Sequence, residues 1–313
     1  MSERIKRFNL QRYGALIVLA LMVVLNGFIT PNFLALGTLW NVLIQAFPVI
    51  LMALGMTMVI ATGGIDISVG STMAISSIIL AKLSIHLEWP FAISLLIALL
   101  AAAAFGLFNG VLVGVFNLQP IISTLILMVS GRGIAQLVND GVVISFYGNR
   151  YTDMGVYRIG GMLPVQVVMI VIAVAVVYFV VNRTSFGCYL QAVGDNGKTA
   201  RLTGIRTSMI LICVYLLCAL LAGFAASFET LRLCSADPNN IGNNIELDCV
   251  AAVAVGGTSM SGGKAHVIGT VIGALVMQLV TTMVNMNNIP YAWSLIVKAA
   301  IIVIALYLQH RRD

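Results

Sequence analysis

Asp66 is the residue whose type and position most clearly point to chemistry. It follows the pair Gly63-Gly64 in the stretch LMALGMTMVIATGGIDISVGSTMAIS, with apolar sequence on both sides. A carboxylate inside a membrane segment can bind a proton or a cation, or accept hydrogen bonds from a polar solute, and such residues are functional candidates. The alternative is a tight cytoplasmic turn in which Asp66 caps the next helix.

The glycines around Asp66 predict a membrane helix that is broken at depth. Lipid cannot satisfy the backbone groups that a break frees, so the segment must pack on protein or line a cavity. The pattern Ala61-x-Gly63-Gly64-x-x-x-Ser68-x-Gly70 recurs from Ala254 to Gly263. Corresponding breaks in two halves are typical of repeat-built transporters. The glycines assigned to the two breaks are Gly63, Gly64, Gly70, Gly256, Gly257, Gly262 and Gly263.

Composition indicates which kind of protein positions these residues. Of 313 residues, 60% are hydrophobic and 9% are charged, and the mean hydropathy is +1.03. Soluble domains carry roughly 25% charged residues. The sequence therefore predicts a polytopic integral membrane protein of the all-α class, embedded in a lipid bilayer as a single domain over residues 1–313. Apolar segment lengths predict about ten transmembrane or broken membrane helices.

The basic residues predict how these helices are oriented. The net charge is +6, but the positive residues occupy three separate segments instead of one patch, so nucleic acid is not an expected partner. Cytoplasmic segments are enriched in Lys and Arg, which places both termini and the loop 182–208 in the cytoplasm. The first apolar segment lacks a cleavage site and is predicted to be an uncleaved span. The basic residues concerned are Arg4, Lys6, Arg7, Arg12, Arg183, Lys198, Arg201, Arg206, Arg311 and Arg312.

A second charge lies inside an apolar span. Arg132 is about three turns into the segment 121–138. An arginine at that depth is costly unless it is paired or reaches water. Contact with a solute, pairing with a carboxylate and outward snorkelling all remain open.

Catalytic patterns are absent from the sequence. It contains no GxSxG, no HExxH and no paired carboxylates beside a base, so the chain is not expected to be an enzyme. Gly263-Lys264 resembles the end of a phosphate loop, but Thr258 stands at the first glycine position and Ala265 follows the lysine. The chain is therefore not expected to bind ATP or another cofactor.

Histidines and cysteines give no metal site. The three histidines are scattered, and the five cysteines have no metal-like spacing. Cys234 and Cys249 bracket a polar loop that is predicted to lie outside, and a disulfide between them is left open.

Three motifs together resemble a known family. GMTMVIATGGIDISVGSTMAIS, SFGCYLQAVGDNGKTARLTGI and ELDCVAAVAVGGTSMSGGKAHVIGTVIGAL are similar, in this order, to segments of bacterial sugar-uptake ABC permeases of the ribose, xylose, arabinose and galactose import group. The resemblance covers nearly the whole chain. TLILMVSGRGIAQLV, and ADPNN before ELD, are most similar to members that transport galactofuranose. Thr199 and Ala265-His266 depart from the pattern in cytoplasmic segments, which affects partner details and not the class.

The resemblance implies a permease subunit of an ATP-driven importer in the bacterial inner membrane. A monosaccharide, a pentose or hexose with galactofuranose among the candidates, would enter the cytoplasm. A second permease, identical or related, would complete the pathway, and a periplasmic sugar-binding protein would deliver the sugar. ATP would be hydrolysed by separate ATPase subunits. The rival hypothesis is a self-contained secondary transporter that uses Asp66 for ion coupling.

Residue roles also follow from the resemblance. The loop 182–208 would couple to the ATPase, whereas the alternative is a basic loop that only obeys the charge rule. Neutral sugars need donors and acceptors that match hydroxyl groups, although each polar residue has an interhelical hydrogen bond as its alternative. The candidate coupling residues are Gly194, Asp195, Asn196, Ala200, Arg201 and Gly204. The candidate pathway residues are Asp66, Ser68, Asn109, Thr124 and Arg132.

Overall fold

The computed structural model describes the backbone of residues 2–147 and 151–310, and the side chains of residues 14–147, 151 and 153–304. Arg311 and Arg312 lie outside the described residues, as do the side chains of the basic residues before position 14. The cytoplasmic location of both termini therefore stays a prediction.

Within these residues the chain is almost entirely helical. The helices are α1 (Ser2–Ile29), α2 (Leu36–Ala61), α3 (Val69–Ala81, continued by a π-helical turn Lys82–His86), α4 (Phe91–Gly114), α5 (Pro120–Val138), α6 (Thr152–Gly155), α7 (Val165–Arg183), α8 (Ser185–Leu202), α9 (Thr207–Leu233), α10 (Ile245–Val255), α11 (Val267–Met286) and α12 (Ala292–His310). The strands are β1 (Ile144–Ser145), β2 (Arg158–Ile159), β3 (Leu163–Pro164) and β4 (Ser235–Ala236).

The predicted polytopic membrane architecture is confirmed. In the described part of the chain, seven helices are long and apolar enough to cross a membrane: α2, α3 with its π-turn, α4, α5, α7, α9 and α11. Gly14–Ile29 of α1 and Ala292–Ile304 of α12 are shorter apolar helical segments. α10 has 11 residues, about 16 Å of helix, which is roughly half of a hydrocarbon core of about 30 Å.

α2 forms the centre of the bundle. Every residue from Ala46 to Ala61 is buried, as expected for a helix that is apolar on all sides. Helices approach closely where side chains are small: a Cβ added at Gly55 would lie 2.8 Å from the Cα of Cys218 in α9. α4 packs on α9 in the same way, through Gly106 and Gly110. The sequence-based interpretation that small residues permit close packing is confirmed for this pair of helices.

The loop between α5 and α7 carries β1, β2 and β3, and β4 follows α9. β1 pairs antiparallel with β4, and β2 pairs with β3. The first ladder ties the loop to the segment after α9. Cys234 and Cys249 are both buried free thiols in the described structure, so no disulfide joins them.

Candidate functional site

The first helix break contains Asp66. α2 ends at Ala61, and Gly63 adopts a left-handed backbone with φ +81°, which only glycine accepts without strain. Asp66 is 1% exposed, and its Oδ1 accepts the Ser68 N–H at 2.9 Å and the Ser68 hydroxyl at 2.6 Å. α3 begins at Val69. The carboxylate thus closes a local turn, but it does so inside the bundle and not at an exposed surface.

A buried polar network ties this break to α4 and α5. Asn109 Nδ2 donates to Ser68 Oγ at 2.9 Å, and the Ser123 hydroxyl donates to Asn109 Oδ1 at 3.2 Å. The Thr124 hydroxyl donates to the carbonyl of Ile65 at 3.3 Å. All the polar side chains involved are buried. The structure thus brings four of the five candidate pathway residues together as interhelical contacts, and their role in a pathway stays a prediction.

Tyr215 in α9 is a residue of this region that the sequence did not reveal. Its side chain is fully buried, and its hydroxyl has no hydrogen-bond partner among the described residues. A Cβ at Gly64 would lie 2.7 Å from that hydroxyl. Gly64 therefore makes room for Tyr215. In the sequence, Tyr215 is only a tyrosine within an apolar span. That pattern does not distinguish a contact with Gly64 from ordinary helix packing.

The second break, between α10 and α11, contacts the first. Gly256 ends α10, and Gly257, Gly262 and Gly263 all have positive φ. The Gly263 N–H donates to the carbonyl of Ala61 at 3.0 Å. The two glycine-rich segments that echo each other in sequence are therefore hydrogen-bonded to each other in space.

His266 lies at the end of the second break. Its backbone N–H donates to Thr258 Oγ1 at 3.0 Å. Partial burial, together with the charge of Lys264, lowers the pKa of His266 below its ordinary value. This departure from the family pattern therefore adds no positive charge at neutral pH.

The predicted coupling loop forms helix α8, which packs on the joined breaks. A Cβ at Gly194 would lie 1.9 Å from the Ala61 carbonyl oxygen and 2.5 Å from the Gly263 nitrogen, so the backbones are in direct contact there. α8 is kinked at Asn196 (φ −159°, ψ 97°), whose side chain accepts the Thr199 N–H at 3.0 Å. The loop 182–208 thus contains a kinked helix of 18 residues.

The six candidate coupling residues divide between two faces of this segment. Ala200 is buried and Gly194 is half-buried against the breaks. The others are exposed: Asp195, Asn196, Arg201 and Gly204. Gly204, with φ +88°, ends the helix, as glycine commonly does. Gly194 and the carboxylate of Asp195 contact the breaks, at Ala61 and Gly263, whereas Asn196, Arg201 and Gly204 are exposed away from these contacts.

The segment before α10 runs back into the bundle along α3. Gly70 was assigned to the first break, but the structure places it inside α3, where a Cβ would lie 2.4 Å from the carbonyl oxygen of Gly242. Further along α3, the Lys82 ammonium donates to the carbonyl of Val138, at the end of α5. The helical rise from Gly70 to Lys82 is about 18 Å. The chain at Gly242 is therefore about 18 Å inward of the level of Lys82.

Arg132 holds this inward segment. Its guanidinium donates to the carbonyls of Ile241 at 2.7 Å and Pro238 at 3.1 Å, and Gly70 O lies 3.4 Å away. The arginine therefore binds backbone carbonyls, a partner that none of the three alternatives from the sequence named. The contact fixes the irregular chain between α9 and α10 against α3 and α5.

An ion pair joins α10 to α12. Lys298 of α12 lies 2.7 Å from Asp248 of α10, and the Lys298 side chain is 7% exposed. Both charges were visible in the sequence, but the distance between them along the chain gave no reason to pair them. Since a buried lysine is costly without a partner, the pair positions α10 against α12.

The glycine breaks, the half-length helix and the helix that packs across them belong to a polytopic membrane protein, and comparison with known families identifies its class as a transport permease. A model of the branched-chain amino acid transport system / permease component family matches residues 38–306, and the chain belongs to this family. In particular, it is 34% identical over 307 residues to the galactofuranose transporter permease protein YtfT of Escherichia coli (strain K12), covering 95% of this chain and 89% of the relative.

Other relatives are of similar length. The chain is 35% identical to the ribose import permease protein RbsC of Escherichia coli (strain K12), covering 97% of this chain and 95% of the relative. It is 32% identical to the fructose import permease protein FruG of Bifidobacterium longum (strain NCC 2705), covering 97% and 93%. No solved structure gives a significant match.

Proposed function

We propose that this chain is the membrane permease subunit of an ATP-driven importer of a monosaccharide. The observation that carries the proposal is identity of 34–35% over nearly the full length to permeases named for galactofuranose and ribose. The chain would act as one domain over residues 1–313 in a bacterial inner membrane. A periplasmic sugar-binding protein would release the sugar to it.

The geometry of α8 supports a separate ATPase partner. The exposed side of the segment 182–208 carries Arg201 and Arg206, which border a groove between the end of α8 and the start of α9. An ATPase subunit that binds this side would apply force to a helix that already contacts both glycine breaks. ATP would be bound and hydrolysed by that partner, and this chain would hold no cofactor.

The sugar would pass between this permease and a second copy or a related chain. Asp66, Ser68, Asn109 and Thr124 lie in a network that fills the interior of this chain. In the proposed mechanism these residues and Arg132 act on the pathway by setting the positions of the broken helix and the inward segment. Direct contact between the four buried residues and a sugar would require the break to move.

Purification of the tagged chain in mild detergent, followed by mass spectrometry, tests the proposal. We expect a stoichiometric ATPase subunit and a second permease, either another copy or a related chain. Exchange of Arg201 for Glu should reduce ATPase recovery at least about fivefold, because it reverses a charge on the exposed side of α8. The same exchange at Arg158, on the loop between α5 and α7, is the control. Recovery of the chain without any ATPase subunit would contradict the proposal.

A further inference from the structure

Three asparagines are exposed on the inward segment before α10. Asn240, Asn243 and Asn244 are all exposed, and Asn243 directly follows Gly242, which contacts Gly70 of α3. Gly242 is level with Gly70, about 18 Å of helical rise along α3 from Lys82, and this level falls within the candidate membrane span Val69–His86. Polar amide groups are therefore presented on the outside of this chain at a depth where lipid would surround a membrane helix.

These amides cannot face lipid at low cost. Transfer of an unpaired amide from water to hydrocarbon costs about 4–8 kcal/mol. The exterior of α5 can be compared with the asparagines at the same level of the bundle. Ser71 follows Gly70 in α3, and its hydroxyl donates to the carbonyl of Leu127 in α5 at 3.1 Å. The exposed side chains there are Val129, at 68% exposure, and Ser130, whose hydroxyl is satisfied within α5 by the carbonyl of Ile126 at 2.7 Å. The surface of α5 at this level is thus largely apolar, which indicates contact with lipid. The surface of the segment before α10 carries amides, which indicates contact with water.

The exposed asparagines lie apart from two cavities in the described part of the chain. The apolar cavity lined by Met22, Val280 and Trp293 does not reach the asparagines, and neither does the groove at Arg201 and Arg206. The space in front of the asparagines is open in the single chain. A second permease subunit that packs on this side would enclose it.

The segment is held firmly enough to present its amides in fixed positions. Arg132 binds two of its carbonyls, and Asp237 accepts the N–H groups of Asn239 and Asn240 at 2.9 and 3.2 Å. The side-chain amides of Asn240 and Asn243 each donate one bond within the segment, to Asp237 Oδ2 at 2.7 Å and to the Asn239 carbonyl at 3.0 Å, and each amide keeps further donor and acceptor capacity. An amide offers both donors and an acceptor, the combination that a sugar hydroxyl requires.

We propose that Asn240, Asn243 and Asn244 line the aqueous pathway and hydrogen-bond the hydroxyl groups of a neutral monosaccharide as it crosses between two permease subunits. The inference rests on the proposed function. It assigns the sugar contacts to the exposed inward segment and not to the buried network around Asp66. Arg132 then acts as a positioning residue, because it binds the segment and not the sugar.

Water access is tested with a charged thiol reagent. Asn243→Cys and Val129→Cys are introduced into a chain whose exposed Cys188 is changed to Ser, and the reconstituted protein is treated with methanethiosulfonate ethylsulfonate on both sides of the membrane. We expect rapid modification of the cysteine at 243 and at least about tenfold slower modification at 129, because the anionic reagent does not enter hydrocarbon. Equal, slow modification at both positions would overturn the inference.

Sugar contact is tested by uptake of labelled ribose, fructose and galactofuranose into vesicles that hold the assembled transporter. We expect Asn243→Leu to lower uptake of the transported sugar roughly fivefold to tenfold, as for one lost hydrogen bond, with unchanged recovery of the ATPase subunit. Asn285→Leu, an exposed asparagine in the last turn of α11, is the matched control and should behave as wild type.

The outcomes separate this inference from the proposed function. If the wild-type transporter moves one of these sugars with ATP but Asn243→Leu has no effect, the sugar contact is wrong and the function stands. If the wild-type transporter moves none of them, the proposed function fails, whatever the reagent shows at position 243.

Discussion

At the scale of single residues, the buried network around Asp66 determines how the first break is held. Asp66 accepts two hydrogen bonds from Ser68, which in turn accepts one from Asn109. In a low-dielectric interior such networks stabilise only when each member is satisfied. The break is therefore fixed by polar contacts, while the helices on either side are fixed by apolar packing.

Asn109→Ala tests whether this network serves the fold. The change removes the bond that Asn109 donates to Ser68 Oγ and leaves the buried Ser123 hydroxyl without its acceptor, so we expect the free energy of unfolding to fall by about 1–3 kcal/mol. Thermal unfolding in detergent measures the effect, and Asn285→Ala, at an exposed position, should change it by less than about 0.5 kcal/mol. Unchanged stability combined with lost uptake would instead identify Asn109 as a direct pathway residue.

The sequence predicted the centre of this network but not its partners. Gly63 and Gly64 before Asp66 mark a break because glycine and a carboxylate are unfavourable in an apolar helix. Asn109 was a candidate because it is polar in an apolar span. Its contact with Ser68 joins residues 41 positions apart, and no local pattern determines such a pairing. The same holds for Lys298 and Asp248.

At the scale of elements, α8 contacts the place where the two helix breaks meet. Gly194 touches Ala61 of the first break and Gly263 of the second, and these two residues are hydrogen-bonded to each other. A rigid displacement of α8 would therefore act on both breaks together. The motif in the sequence assigned Gly194 to contact with the ATPase, because a sequence motif does not indicate which face of a segment is buried.

Gly194→Ala tests this contact. A Cβ there would lie 1.9 Å from the Ala61 carbonyl oxygen, so α8 must shift, and we expect sugar uptake to fall at least about tenfold while the ATPase subunit still co-purifies. Gly197→Ala is the matched control on the same helix, because its Cβ would meet nothing within 4 Å.

Sugar uptake and ATPase co-purification, measured for Gly194→Ala and Gly197→Ala, show whether Gly194 acts on the breaks or on the partner. Normal uptake by Gly194→Ala would show that the contact with the breaks is not needed. Loss of the ATPase subunit from a well-folded Gly194→Ala protein would show that Gly194 belongs to the partner surface.

At the scale of the whole molecule, the chain combines complete membrane helices with one half-length helix. Composition and apolar segment lengths were sufficient to predict an all-α polytopic membrane protein, because lipid admits few alternatives for the backbone. The described residues contain seven helices that are long and apolar enough to cross a membrane, and the count of about ten stays a prediction. The inward course of the chain before α10 was not predicted. Its polar sequence is typical of an outer loop, and only the contacts of Gly242 with Gly70 and of Arg132 with Ile241 reveal its depth.

The most direct test of the account is uptake into vesicles that contain this permease, its ATPase subunit and its sugar-binding protein. The account predicts that labelled ribose, fructose or galactofuranose enters only when ATP is supplied to the ATPase side, and that uncouplers of ion gradients have no effect. Uptake by the permease alone, driven by an ion gradient without ATP and abolished by Asp66→Asn, would contradict the account and establish a secondary transporter.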